Sequence, residues 1–178
     1  MVTVSAAGVI TGKAPGTTNI VAKLGKLTSV SVPVQVEGEV GTWKKSGGKW
    51  WFQLDDGSYP YNQWAQIDGD WYYFDRSGYM QTGWLKLGKS WYYLKSSGAM
   101  ATGWQKVGDA WYYLKSSGAM AAGWQKVDGQ WYYLAPSGAM AKNQWVGNYY
   151  LTGSGAMATN TWIGKYHVNA AGVWDQTR

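Results

Sequence analysis

Tryptophan is the residue whose spacing in this 178-residue chain could do chemistry. Trp64, Trp84, Trp104 and Trp124 recur at intervals of twenty residues, and Trp71, Trp91, Trp111 and Trp131 follow each of them seven residues later. Trp43 and Trp50 form an earlier pair, offset by twenty-one. An indole offers a flat π face and a single polar tip, which suits a surface that encloses a cation or stacks on a sugar. The sequence holds 14 Trp and 14 Tyr beside only 2 Phe. A core would be filled more simply by Leu, Ile and Phe, so the bias points to binding.

The elements that position these rings are legible from the repeat itself, which reads GWLKLGKSWYYLKSSGAM, GWQKVGDAWYYLKSSGAM and GWQKVDGQWYYLAPSGAM in its clearest copies. Positions four and five after the first Trp are Gly47-Gly48, Asp68-Gly69, Gly88-Lys89, Gly108-Asp109 and Asp128-Gly129. All suit two-residue hairpin turns with positive φ. In the third repeat this turn pairs Lys86 with Trp91, Leu85 with Tyr92 and Trp84 with Tyr93. Side chains alternate across a strand, so Trp84, Lys86, Trp91 and Tyr93 share one face, and Leu85, Leu87, Tyr92 and Leu94 the other. A lone hairpin is marginal in water, so the repeats must stack. Gly57, Gly78, Gly98, Gly118 and Gly138 each lie fourteen residues after the first Trp of their repeat, a fixed offset that predicts a backbone conformation hostile to a Cβ. Two shortened repeats, Trp145-Val-Gly-Asn-Tyr149-Tyr150 and Trp162-Ile-Gly-Lys-Tyr166-His167, turn two residues after Trp and lack the second Trp. The reading is an all-β chain: about five full hairpin repeats and two shortened terminal ones over residues 39–178.

Residues 1–38 contain no Trp or Tyr and alternate β-branched with polar residues, with turn signals at Gly8, Gly12 and Pro15-Gly16. Three or four antiparallel strands of a sandwich type are expected there, with a junction at Glu37-Gly38-Glu39. Met1 runs straight into strand-like sequence, as expected of a C-terminal piece of a longer protein.

Several function classes lose their residues. There is no Cys, hence no disulfide, thiolate metal site or thiol nucleophile. The sole histidine, His167, sits in a shortened repeat with no nearby carboxylate, and reads as an edge residue. Asp55-Asp56, Asp68 and Asp70 are explained by turn chemistry. No catalytic or metal residues and no cofactor are assigned; a catalytic domain would belong upstream in a parent protein. The formal charge of +6 suits a polyanion. The lysines are scattered singly, without a basic groove, which argues against nucleic acid. No apolar run has the length of a membrane span. Trp51 and Trp174 stand outside the series and default to packing.

The unit written here from Gly83-Trp84 through Met100 resembles the choline-binding repeat of Gram-positive surface proteins and phage lysins. The first 38 residues resemble part of a bacterial Ig-like domain of the Big-2 type, through VSAAGVITGKAPGTTNIVA. The repeat resemblance implies a left-handed β-hairpin solenoid that binds choline between successive hairpins and attaches a secreted protein to teichoic and lipoteichoic acids at the cell wall. It also allows a choline-dependent homodimer. The implied sites take two walls from one hairpin and a third from the next: Trp64/Trp71/Tyr92, Trp84/Trp91/Tyr112 and Trp104/Trp111/Tyr132. Tyr112 is chosen because the middle position of its triplet projects toward the preceding hairpin, with Tyr113 the competitor. Trp124/Trp131/Tyr149 and Trp43/Trp50/Tyr72 complete the series at its irregular ends. Met100, Met120 and Met140 stand where a soft side chain could floor a cage. Two other readings compete: an α-glucan-binding repeat module, since aromatic faces also stack on sugars, and a structural spacer for an upstream domain.

Overall fold

The computed structural model describes residues 39–178 throughout and, before them, the backbone of six short strands: β1 (Val2–Val4), β2 (Ile10–Gly12), β3 (Gly16–Ile20), β4 (Lys23–Leu24), β5 (Leu27–Thr28) and β6 (Val32–Val36). These pair antiparallel as β1–β2, β3–β6 and β4–β5. Among the described residues before 39, six short strands therefore stand where three or four were expected. Gly12 closes β2 and Gly16 opens β3, while the expected turn residues Gly8 and Pro15 and the junction residues Glu37 and Gly38 lie outside the described residues.

From residue 41 the chain is a succession of antiparallel hairpins, and no helix occurs among the described residues. The full hairpins are β7 (Gly41–Ser46) with β8 (Lys49–Leu54), β9 (Gln63–Ile67) with β10 (Asp70–Phe74), β11 (Gly83–Leu87) with β12 (Ser90–Leu94), β13 (Gly103–Val107) with β14 (Ala110–Leu114), and β15 (Gly123–Val127) with β16 (Gln130–Leu134). Shorter arms follow: β17 (Gln144–Val146) with β18 (Tyr149–Leu151), and β19 (Thr161–Ile163) with β20 (Tyr166–Val168), which also pairs with β21 (Trp174–Thr177). The architecture is a β-hairpin solenoid. The chain divides into two compact units, Met1–Leu85 with Leu94–Met100, and Lys86–Tyr93 with Ala101–Arg178.

Turn chemistry sets the register. Asp68 and Gly69 have φ of 52° and 87°, and Asp128 and Gly129 have 49° and 82°, the doubly positive pattern of a type I′ turn. Where glycine comes first, as at Gly108 (φ 60°), it fills the position that type II′ reserves for it. In consequence Lys106 pairs with Trp111, Gln105 with Tyr112 and Trp104 with Tyr113, and β15–β16 repeats that register twenty residues on.

Within each unit, burial falls on inward-facing strand positions and on the connectors. In the second, Leu114, Leu134, Leu151 and Val168 are fully buried, joined by Ala101, Ala121, Ala141 and Ala158 from the connectors. In the first, Phe52, Ala65, Ile67 and Phe74 form the core, and Trp43, Tyr72 and Met80 pack against it. Burying a Leu or Phe contributes about 1.5–3 kcal/mol, so a column of such residues carries the stack.

The methionine connectors are also tied to the hairpin of the preceding repeat. The Met140 N–H donates to the Trp111 carbonyl at 2.8 Å and the Met157 N–H to that of Trp131 at 2.8 Å; in the first unit Met80 bonds Trp50 and Met100 bonds Trp71, both at 2.7 Å. The connector glycine has a second reason to be glycine. Gly155 has φ 85°, and a Cβ there would strike the Met140 side chain. The fixed glycine thus makes room for the methionine of the preceding connector.

Candidate functional site

Three aromatic pockets lie wholly within one unit or the other. In the second unit, Trp104, Trp111, Tyr132, Met140 and Ser154 line a cavity of about 240 Å³. The Trp104 and Trp111 rings are 6.5 Å apart between centroids and nearly perpendicular, at 86°. Tyr132, from the next hairpin, meets Trp104 at 4.8 Å and 68°. Its neighbour Tyr133 instead packs within its own hairpin, against Trp124 at 5.3 Å. Alternation along β16 separates the two: Tyr132 pairs with Gln125, and Tyr133 pairs with Trp124.

The next repeat builds the same corner. Trp124 and Trp131 stand 6.5 Å apart at 82°, Tyr149 meets Trp124 at 5.1 Å, and Met157 and Ala171 complete a cavity of about 380 Å³. Shortening the following hairpin leaves Tyr149 in place because it pairs with Val146, one residue from the turn. In the first unit Trp43, Trp50, Tyr72 and Met80, with Ser96 and Ser97, line a cavity of about 300 Å³, and Tyr72 meets Trp43 at 5.0 Å.

The structure thus brings together Trp104/Trp111/Tyr132, Trp124/Trp131/Tyr149 and Trp43/Trp50/Tyr72. The sets Trp64/Trp71/Tyr92 and Trp84/Trp91/Tyr112 each draw residues from both compact units and are followed only within each. Trp64 stacks edge-on against Tyr73 at 5.3 Å, and Trp71 and Trp91 keep 43% and 39% of their surface exposed. Met140 lines a pocket; Met100 and Met120 hold the Trp71 and Trp91 carbonyls through their N–H groups. Sequence reasoning missed Met80 and Met157, although each stands two residues after a connector glycine as Met140 does. It also missed the connector serines, whose signal was the same offset.

In each pair the first Trp is half-buried and the second exposed: Trp111 and Trp131 retain 39% and 41% of their surface. The inner ring therefore serves core and pocket together, and the outer ring is held out by its backbone bond to the connector. Burial raises the Tyr72 phenol above its ordinary pKa, helped by the Asp70 and Asp68 carboxylates, so this wall is a neutral ring at physiological pH. One expectation outside the series needs correction. His167 does have a carboxylate neighbour: its Nδ1 lies 2.7 Å from Asp175 Oδ1, tying β20 to β21. Trp174 packs at the surface: it is 45% exposed, its ring lies edge-on 5.9 Å from that of Tyr166, and its indole N–H donates to the Gln176 carbonyl at 3.0 Å.

Family models described as choline-binding repeat match residues 61–103, 101–145 and 139–174. The chain belongs to the choline-binding repeat family. Its fold is similar to choline binding protein F from Streptococcus pneumoniae, at 40% identity and TM-score 0.70 over 77% of this chain and 48% of that one. It is similar also to CbpJ from Streptococcus pneumoniae TIGR4, at 30% identity and TM-score 0.70 over 93% of this chain and 73% of that one. A 29-residue stretch, 16% of the chain, is 52% identical to the lysozyme of Streptococcus phage Cp-1, of which it spans 9%. The family-model matches begin at residue 61, and nothing in them supports the Ig-like resemblance of residues 1–38.

Proposed function

We propose that residues 39–178 form a non-catalytic attachment module whose aromatic corners bind the quaternary ammonium of choline. The polymers that carry it would be teichoic and lipoteichoic acids of a Gram-positive cell wall, with residues 1–38 a separate segment of the parent protein. The observation that carries the reading is the Trp104/Trp111/Tyr132/Met140 pocket. Its rings meet at steep angles instead of lying parallel, so they enclose a rounded space rather than a slot. A trimethylammonium group is rounded, weakly hydrated and without an N–H to donate. Aromatic faces stabilise it without the desolvation cost that a carboxylate would incur. The centroids lie 4.8 and 6.5 Å apart, so one cation can stand within about 6 Å of each ring.

Each wall contributes about 0.5–2 kcal/mol, which after ordering costs gives single-site affinities near ~1 mM. Several sites in register on a choline-bearing polymer then raise retention by about 10²–10⁴. This is the physical use of repetition. Both the wall location and a choline-dependent dimer would follow from the same sites. The test is retention on a resin bearing immobilised choline. Free choline should elute the protein, and sodium chloride at equal ionic strength should not. Elution by salt alone would reduce the interaction to the net charge.

A further inference from the structure

The pocket series has an irregular member at its start. Trp51, Tyr59, Ser46, Ser77, Gly78 and Tyr79 line a cavity of about 260 Å³ in the first unit. Register identifies what it is. Trp51 follows the outer Trp50 as Tyr72 follows Trp71 and Tyr132 follows Trp131, so it stands at the third-wall position. Tyr59 stands two residues after Gly57, as Met80 does after Gly78 and Met140 after Gly138. Its ring lies against Gly78, where a Cβ would meet it at 2.6 Å, just as the Met140 side chain lies against Gly155. Ser77 precedes its connector glycine as Ser97 and Ser154 do in the complete pockets. The cavity is therefore the second half of a cage whose Trp pair would come from a preceding hairpin. Residues 1–38 contain no Trp or Tyr with which to supply one.

Three features change what this half-cage can hold. The methionine floor has become a tyrosine, which brings a hydroxyl in place of a thioether. Lys49 Nζ sits 5.2 Å from the Tyr79 ring centroid, so a cation already occupies one ring face and opposes a second. Tyr61, 62% exposed, extends the aromatic surface outward, its ring 6.3 Å from that of Tyr59, which in turn is 5.9 Å from Trp51. Ser46 and Ser77 add hydroxyls to the lining, and the exposed Tyr61 ring offers a flat face beside it, which suits a pyranose, whose C–H faces lie on aromatic carbon while its hydroxyls need partners.

The geometry points to a saccharide subsite at Trp51, Tyr59 and Tyr61, distinct from the choline pockets and independent of that reading. It takes a neutral or anionic sugar of a glycan chain. The experiment uses the full chain in saturating choline, with maltotetraose and a chitin tetramer as probes, read by saturation-transfer NMR. Saturable binding is expected, weakened about tenfold or more by Trp51→Ala and several-fold by Tyr61→Ala, and unchanged by Trp111→Ala. Tyr61 is exposed enough that its loss leaves the fold intact, which a melting curve checks. No saturable binding of either oligosaccharide, binding displaced by choline, or binding indifferent to Trp51 and Tyr61 would overturn the proposal. Failure of the choline pockets would show instead in a choline titration without sugar.

Discussion

Trp111→Ala is the most informative single change. The ring is 39% exposed and forms the outer wall of a pocket, while its carbonyl, which holds Met140, survives truncation. Losing one cation–π wall of about 0.5–2 kcal/mol weakens that site about two- to thirtyfold. Take tenfold as the middle of that range. At choline ten times above the intact site's Kd, that site stabilises the fold by RT ln 11, about 1.4 kcal/mol; weakened tenfold, it contributes RT ln 2, about 0.4. The difference, about 1 kcal/mol, is about 2–4 °C of melting temperature in a domain of this size. The assay is calorimetric melting of parent and variant, each with and without choline, so that any cost to the ligand-free fold cancels. A choline-induced shift in Trp111→Ala equal to that of the parent would show that the ring is not a wall.

Other consequences separate packing from binding. Leu134→Ala removes a fully buried side chain and should cost about 2–5 kcal/mol in chemical denaturation, with choline affinity unchanged wherever the variant is folded. Gly155→Ala imposes a side chain at φ 85° and drives Met140 toward the Trp104/Trp111 pocket; a loss of about 1 kcal/mol or more in stability is expected, with a reduced choline response by calorimetry. Because burial raises the Tyr72 pKa, the folded ring stays neutral after the unfolded phenol begins to ionise. Its contribution is complete below the unfolded value of about 10 and is lost as pH rises through the folded one. Choline binding should therefore be flat between about pH 6 and 9 by fluorescence titration, and stability should decline only above that range.

Much of this was legible because the repeat encodes its own geometry. Asp-Gly and Gly-X at a fixed distance from Trp define the turn, the turn defines the register, and the register separates Tyr132 from Tyr133. Connector glycines were readable as positive-φ positions, but not as seats for methionine, because that contact joins residues from successive repeats. For the same reason Met80 and Met157 escaped notice. The His167–Asp175 pair spans two strands joined by a loop, a proximity no local pattern reports. Trp51 breaks the Trp spacing and reads as filler until Tyr59 is placed beside it, 5.9 Å away. Residues 1–38 follow no repeat, so their sequence carries no comparable signal of register.

The central claim is tested most directly by titrating choline into the chain while following intrinsic Trp fluorescence and thermal melting, with sodium chloride at equal ionic strength as the control. The account predicts a saturable spectral change and a rising melting temperature with choline, because the ligand binds only the assembled corners. A chain that melts at the same temperature with and without saturating choline, and whose fluorescence does not change, would contradict it.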